Sequence, residues 1–214
     1  MSFGYPVMLE LAGRRSVVIG AQAIREGKVE GLLAAGADDV LVVDPGLHDR
    51  FEGVASVRVE RRAWRPGDLD GAFLTVASSD DVATRSAIAR EARARGVLVN
   101  MIDDIPKCDW AAPAVVRRGD LVLAIGTGGM SPTIARVVRE RLQHEFGAEW
   151  AEVLRVVGEV RRDTLQSLPD FAERAQRWHD TLDLDEAAEL VREGRGEELR
   201  TRLRERLLGE VKAL

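Results

Sequence analysis

The first feature of the sequence whose residue types and spacing could form a binding site is a glycine turn after a β-like run. The apolar run Val17–Ile19 leads into Gly20, and a helix-like pattern follows to Ala35. Dinucleotide-binding loops carry glycines here as G-x-G-x-x-G/A, because the chain turns tightly and its backbone approaches a pyrophosphate. In this chain the three positions hold Gly20, Gln22 and Arg25. The pattern indicates either a nucleotide site that has changed or a strand–helix turn that never held a nucleotide.

An acidic residue supports the nucleotide interpretation. Asp44 ends the second predicted strand, 24 residues after Gly20, and an acid about 20 residues after the loop binds the ribose hydroxyls in dinucleotide sites. Such an acid favours NAD over NADP, because it repels a 2′-phosphate. The alternative is that Asp44 and Pro45 only open a turn. The residues predicted to bind the dinucleotide are Gly20, Gln22, Ala23, Ile24, Asp44, Pro45, Ser78 and Ser79.

Two adjacent carboxylates, Asp103 and Asp104, follow the fifth predicted strand. A carboxylate at the end of a strand beside a cofactor cleft is suited to proton transfer. If both faced the same space, repulsion between like charges would couple their protonation. Because neighbouring strand residues point to opposite faces, we expect only Asp103 to be catalytic. The alternative is an Asp-Asp turn that caps the next segment.

The elements that position these residues alternate between strand and helix patterns up to about residue 110. Short runs that are rich in Val and Leu and mostly apolar on both faces occur at 16–20, 39–44, 56–60, 72–78 and 97–102. Buried parallel strands have this composition. Helical stretches at 24–36 and 80–96 each close on a glycine suited to end a helix. The alternation predicts an α/β, Rossmann-like parallel sheet with right-handed crossovers.

The pattern changes after Trp110. Two strand-like runs joined at the sequence RRGD indicate a β-hairpin, and Ser131 and Pro132 predict the start of a helix that runs to about Phe146. Further along only amphipathic helical patterns remain, and we count four of them. The predicted organisation is an α/β domain (1–112), a hairpin-plus-helix segment (113–147) and a helical domain (148–214).

Composition excludes several classes of protein. The chain has 214 residues, of which 45% are hydrophobic and 31% charged, a composition typical of globular proteins. Its formal charge of −5 argues against a general nucleic-acid binder, and no apolar run approaches the roughly 20 residues of a membrane span. One cysteine and no signal-peptide pattern predict a cytoplasmic protein. The three histidines are far apart in sequence, so we predict no structural metal site.

Several motifs carry a resemblance to a known family. The segments ASSDD (77–81), VNMIDD (99–104) and PAVVRRGDLVLAIGTGGMSP (113–132), with the helical tail, resemble the precorrin-2 dehydrogenase/sirohydrochlorin ferrochelatase family. This is the family of the siroheme synthase N-terminal module, and the resemblance covers essentially the whole chain in the same order. The loop departs from the family's G-G-G-x-V-A-x-R-K. Here two of the three glycines and the arginine are replaced, whereas Lys28 keeps its place.

The resemblance implies a homodimer with an NAD-binding domain, a central dimerisation segment and a C-terminal helical domain. The family oxidises precorrin-2 to sirohydrochlorin with NAD, and some members also insert ferrous iron as a second substrate to give siroheme. An aspartate important to both steps corresponds to Asp103. Two alternatives remain. One is a chelatase or tetrapyrrole-binding member that no longer uses NAD, and the other is a non-catalytic nucleotide-sensing module on the same scaffold.

A tetrapyrrole with eight carboxylate arms requires cations and backbone donors. Arginines of the hairpin and the amides of the glycine-rich turn GTGG are candidates. The residues predicted to bind the substrate are Asn100, Arg117, Arg118, Thr127, Gly128, Gly129 and Ser131. The alternative is that these arginines are solvated surface charges and that the turn has only a structural role. Fixed metal ligands are not expected even in a chelatase, because the macrocycle's own nitrogens become the ligands.

Overall fold

The computed structural model describes residues 5–46 and 48–209. The chain divides between Ala112 and Pro113 into two compact units. In this described part of the chain, no helix is long and apolar enough to cross a membrane.

The first unit is built on a parallel sheet, which in the described residues has five strands. They are β1 (Arg15–Ile19), β2 (Val40–Val43), β3 (Val57–Glu60), β4 (Ala72–Ala77) and β5 (Leu98–Met101). Their order is β3-β2-β1-β4-β5, and every neighbouring pair is parallel. The strand order reverses between β1 and β4, which makes this the topological switch point of a doubly wound sheet. The predicted Rossmann-like fold is confirmed.

The central strands are apolar at successive positions because both faces of the sheet are covered. Val18 and Val42 pack into one hydrophobic cluster, while Val17 and Leu41 pack into a second cluster on the opposite face. The two pairs are also register partners across β1 and β2. Since successive side chains alternate between faces, an unbroken apolar run supplies both clusters at once.

The first helix of this unit differs from its prediction. The pattern after Gly20 predicts one helix, but the structure contains α1 (Ala21–Arg25) and α2 (Lys28–Ala34), separated by Gly27. Gly27 has a φ of +72°, and a left-handed residue stops the helical hydrogen-bond ladder. The next helix, α3 (Val82–Arg95), begins where the Asp81 carboxylate accepts hydrogen bonds from two backbone amides.

The second unit begins with the predicted hairpin. Strands β6 (Ala114–Arg118) and β7 (Leu121–Ile125) pair antiparallel. Helix α4 (Pro132–Glu145) follows, and the Ser131 hydroxyl caps it by accepting a hydrogen bond of 3.2 Å from the Ile134 amide. The predicted Ser-Pro helix start is therefore confirmed.

In the described part of the tail, the four predicted helices are present. They are α5 (Glu149–Ser167), α6 (Phe171–Thr181), α7 (Leu184–Arg192) and α8 (Gly196–Leu208). Their shared core includes Val156 and Val160 of α5, Ala187 and Leu190 of α7, and Leu199 and Leu203 of α8. These positions lie three or four residues apart on each helix, as one buried stripe requires.

Candidate functional site

The predicted functional residues of the first unit follow four neighbouring strands at the edge where those strands end. Gly20 follows β1, Asp44 follows β2, Ser78 follows β4, and Asp103 lies two residues beyond β5. In an open parallel sheet, ligands bind outside the carboxyl ends of the strands at the switch point. The fold therefore brings these residues to the edge at which a dinucleotide would bind.

Gly20 is required both by backbone conformation and by space. Its φ is +88°, and a Cβ atom built on it would lie 2.2 Å from the carbonyl oxygen of Ser78 and 2.6 Å from its hydroxyl. Its amide donates to the carbonyl of Val43 at 3.0 Å. The loop thus turns directly against the ends of β2 and β4, where only glycine fits.

Ser78 holds the glycine turn in place. It is buried, and its hydroxyl accepts a hydrogen bond from the Ala23 amide at 3.1 Å and donates to the Ile19 carbonyl at 3.3 Å. Ala23 and Ile24 are themselves buried in the core of the unit. These three residues support the loop from inside, and their predicted contacts with a cofactor remain predictions.

Asp44 is a buried carboxylate oriented by its own turn. Its Oδ2 accepts a hydrogen bond from the Gly46 amide at 2.8 Å and lies 2.8 Å from Nε2 of His48. The structure therefore contains the turn that the Asp-Pro sequence allows, and that turn presents the carboxylate at the end of β2. Pro45 is exposed beside it. Sequence reasoning missed His48, although its position four residues after Asp44 was a usable signal.

Gln22 links the glycine loop to Asp103. Its side-chain nitrogen Nε2 donates to Oδ2 of Asp103 at 2.8 Å and to Oε1 of Glu26 at 3.1 Å. The residue that replaces the second glycine of the loop therefore places an amide group at this edge of the sheet. No sequence signal connects positions that are 81 residues apart.

Asp103 lies in a turn and not on a strand. Strand β5 ends at Met101, and the Ile102 amide continues the ladder by donating to the Ala77 carbonyl at 2.9 Å. Among the described residues, Asp103 is the one non-glycine residue with a positive φ, at +59°. The expectation that strand alternation separates Asp103 from Asp104 was wrong, because the left-handed turn aims the Asp103 side chain. The carboxylate of Asp103 is exposed.

Asp104 is held by two cations. Its Oδ2 lies 2.6 Å from Nζ of Lys107 and 3.2 Å from Nε of Arg85. The hydrogen bond from Lys107 lowers the pKa of the Asp104 carboxyl below its usual range, and Arg85 adds to this against the opposing effect of partial burial. A carboxylate paired in this way is a poor proton acceptor. The ion pairs distinguish Asp104 from its neighbour.

Two further predicted residues of this unit have local partners. The Asn100 side chain donates to the Trp110 carbonyl at 2.9 Å, which ties β5 to the chain that follows it. The Ser79 hydroxyl accepts from the Asp81 amide at 3.2 Å, and the Ser79 carbonyl accepts from Arg85 at 2.6 Å. Their roles toward cofactor or substrate remain predictions.

In the second unit, the Arg118 side chain binds the backbone at the end of α4. Its guanidinium donates to the carbonyls of Gln143, Phe146 and Gly147 at 2.8–3.0 Å. These carbonyls stand at the end of α4, where backbone acceptors lack helical partners. Arg117 is exposed on β6.

The glycine-rich turn of the second unit closes on itself. The Thr127 hydroxyl donates to the Ser131 carbonyl at 3.2 Å and accepts from the Ser131 amide at 3.4 Å. Gly128 and Gly129 have φ values of +60° and +80°, which glycine adopts without strain. The turn delivers the chain into α4, and substrate binding by these residues remains a prediction. Over residues 5–46 and 48–209, no cluster of three or more His, Cys, Asp or Glu side chains is placed to hold a metal ion.

Comparison with known proteins shows which family this chain resembles. A family model described as "Putative NAD(P)-binding" matches residues 7–114. The siroheme synthase of Methylobacillus flagellatus is 33% identical over 180 residues, which cover 83% of this chain and 38% of that protein. The siroheme synthase of Pseudomonas paraeruginosa is 31% identical over 207 residues, which cover 95% of this chain and 44% of that protein. The chain therefore spans less than half the length of these relatives.

A solved structure matches over nearly the whole chain. The structure of SirC, precorrin-2 dehydrogenase, superimposes with a TM-score of 0.72 at 25% sequence identity, and the match covers 94% of this chain and 100% of that one. The match extends beyond the NAD(P)-binding model into the hairpin and the helical tail. The chain therefore belongs to this NAD(P)-binding family, and the resemblance of its sequence to the precorrin-2 dehydrogenase/sirohydrochlorin ferrochelatase family is confirmed.

Proposed function

We propose that this protein oxidises precorrin-2 to sirohydrochlorin with NAD. The observation that carries the proposal is the convergence of the Gly20 turn, the Asp44 carboxylate and the Asp103 carboxylate at the switch point of the sheet. The likeness to SirC, precorrin-2 dehydrogenase, supports the choice of substrate, because that match covers nearly all of both chains.

The residues at the switch point fit a dinucleotide. The Gly20 turn allows the chain to leave β1 without a side chain over the β4 end. The buried Asp44 carboxylate, aimed by Gly46 and His48, would accept hydrogen bonds from ribose hydroxyls and would repel a 2′-phosphate. The cofactor expected on these grounds is therefore NAD, and the chemistry that it supplies when bound is acceptance of a hydride.

Asp103 is the group we assign to proton transfer. Oxidation of precorrin-2 removes a hydride and a proton, and the proton needs an acceptor at the edge of the crevice. The Asp103 carboxylate is exposed and accepts from a neutral amide. Asp104 is already paired with Lys107 and Arg85, so it is a weaker candidate.

Ferrous-iron insertion is a second activity that the same carboxylate would serve, with the metal ion as substrate. Asp103 would accept pyrrole protons as the metal enters the macrocycle. Two observations favour a chelatase that has stopped using NAD. The side chain of Gln22 occupies the loop where the family has a glycine, and α1 ends after five residues.

The proposed enzyme is a cytoplasmic homodimer joined through the hairpin and α4. Exposed apolar side chains on this segment support the dimer, since Met130 is 88% exposed and Ile134 is 58% exposed. Val115 and Val137 add to the same apolar set. For the carboxylate arms of the substrate, we favour Arg117 over Arg118, because Arg118 already binds the end of α4.

Anaerobic incubation with precorrin-2 and NAD, followed by ferrous iron, tests the proposal. We expect sirohydrochlorin absorption and NADH formation before the metal is added, and a siroheme spectrum afterwards if iron is inserted. Absence of NAD binding at millimolar cofactor would exclude the dehydrogenase and favour the chelatase. Absence of binding by both tetrapyrroles would favour the nucleotide-sensing module.

A further inference from the structure

The Gln22–Asp103 hydrogen bond crosses the carboxyl edge of the sheet. Gln22 lies on α1, directly after β1, and Asp103 lies in the turn after β5. Strand β4 stands between β1 and β5 in the sheet. The two side chains therefore meet beyond the end of β4, beside the point where the strand order reverses.

A dinucleotide at this switch point would have to pass the same place. Its two halves bind to the two halves of a doubly wound sheet. Asp44 marks the half formed by β1, β2 and β3, which leaves the region beyond β4 and β5 for the other half. In the structure that region contains the hydrogen bond between Gln22 and Asp103, at 2.8 Å.

The residues at both ends of this hydrogen bond are unusual for their positions. Gln22 stands at the second glycine position of the loop, where close approach of the backbone to a pyrophosphate favours a residue without a side chain. Asp103 keeps its carboxylate in reach through a left-handed backbone, with φ of +59°. A hydrogen bond to a charged acceptor is stronger than one between neutral groups, so the contact resists displacement.

We propose that Gln22 is a positioning residue, which holds the Asp103 carboxylate over the end of β4 in the free enzyme and releases it when the dinucleotide binds. This inference rests on the proposed function, since it requires a dinucleotide in the crevice. Its consequence is an order of events. The Oδ2 atom of Asp103, which accepts the Gln22 hydrogen bond, becomes free to accept a proton from the substrate when the hydride acceptor binds.

If NAD binding must break the Gln22–Asp103 hydrogen bond, that bond lowers the affinity for NAD. The inference therefore predicts that NAD affinity rises when the bond is removed. Gln22→Ala should bind NAD about threefold to tenfold more tightly than the unmodified protein, the range expected for one exposed hydrogen bond. In an Asp103→Gly background, the same substitution at Gln22 should change NAD affinity less than about twofold, because the bond is already absent. Glycine is chosen at position 103 because it adopts the left-handed conformation without strain.

The experiment is a double-mutant cycle on NAD affinity, measured by titration calorimetry with the full chain. Glu26→Gln is the matched control, because Glu26 is the other acceptor of the Gln22 amide and directly follows the last residue of α1. It should leave NAD affinity within about twofold. Circular dichroism of each variant establishes that the fold is retained.

Each remaining outcome overturns the inference. If the gain from Gln22→Ala persists in the Asp103→Gly background, the side chain only obstructs the loop and the hydrogen bond has no role. If Gln22→Ala leaves NAD affinity unchanged or weakens it while the unmodified protein binds NAD, the inference fails and the proposed function stands. If none of the proteins binds NAD, the proposed dehydrogenase fails, and the inference fails with it.

Discussion

The turns after β2 and β5 each present an aspartate at the carboxyl edge of the sheet, but they hold it in different ways. Asp44 is buried, and its carboxylate contacts Gly46 and His48 of its own turn. Asp103 is exposed, and its partner Gln22 belongs to a different element 81 residues away. The first carboxylate keeps its orientation as long as its own turn stays folded. The orientation of the Asp103 carboxylate depends on a hydrogen bond from Gln22, which lies on a separate element, α1.

This difference matches the two tasks that we assign to the aspartates. Recognition of a ribose needs acceptors at fixed positions, which a buried and locally bonded carboxylate provides. Proton transfer needs an accessible carboxylate that is free of strong ion pairs. Under the proposed assignment, a locally held binding group and an exposed reacting group lie at one edge of one sheet.

The largest effect should come from removing the basic group at Asp103. Asp103→Asn retains a residue type that tolerates a left-handed backbone but cannot accept the proton, so kcat should fall about 100-fold or more. NAD affinity should not weaken. The assay is NADH formation from precorrin-2 at saturating NAD. The matched variant Asp104→Asn should stay within a few-fold of the unmodified enzyme, and an equal loss in both variants would contradict the distinction between the two carboxylates.

The next largest effect should come from the glycine turn between β1 and α1. Gly20→Ala places a Cβ atom 2.2 Å from the Ser78 carbonyl at a φ of +88°, which should lower the free energy of unfolding by about 2–4 kcal/mol. Urea denaturation measures the change. Gly36 has the same φ but nothing within 4 Å of its Cβ position, so Gly36→Ala should cost only about 1–2 kcal/mol. Equal costs would show that Ser78 does not restrict Gly20.

Substitution of Asp44 should change cofactor binding more than substitution of another acid in the same segment. Asp44→Asn removes the charged acceptor proposed for the ribose, so Kd for NAD should rise roughly tenfold and the preference over NADP should shrink. Titration with both cofactors measures this. Asp49 is exposed in the same segment, and Asp49→Asn should leave both Kd values within about twofold. An equal rise in both variants would indicate a general effect of charge.

The smallest effect should be a change in the pH dependence of stability through Asp104. Because Lys107 and Arg85 lower the folded-state pKa of Asp104, its ion pairs stabilise the fold above the ordinary aspartate pKa of about 4. That contribution is lost as the pH falls through the lowered value. Asp104→Asn should therefore reduce stability at pH 7 by at most about 1 kcal/mol and change it less at pH 3. Urea midpoints at the two pH values measure this, and an equal loss at both would contradict it.

Most of the fold could be predicted because its signals are local. A parallel strand covered on both faces needs an unbroken apolar run, and such runs marked the central strands β1, β2 and β4. The more mixed patterns of β3 and β5 were also placed to within one or two residues. Ser131 and Pro132 marked the start of α4 for a similar reason, since the cap bonds an amide three residues away. The break at Gly27 was missed, because a glycine within a helical pattern can either continue the helix or end it, and the pattern does not distinguish the two.

By itself, the amino-acid sequence determined the sheet and the residues that stand at the ends of its strands, because apolar periodicity and glycine turns act over a few neighbouring residues. Only the tertiary structure decided what those residues touch. Gln22 and Asp103 come within hydrogen-bond distance because only one strand, β4, separates β1 from β5 in the sheet. Asp103 separates from Asp104 because a left-handed turn, and not a strand, aims its carboxylate. Contacts of this kind depend on strand order and backbone geometry, which residue spacing does not encode.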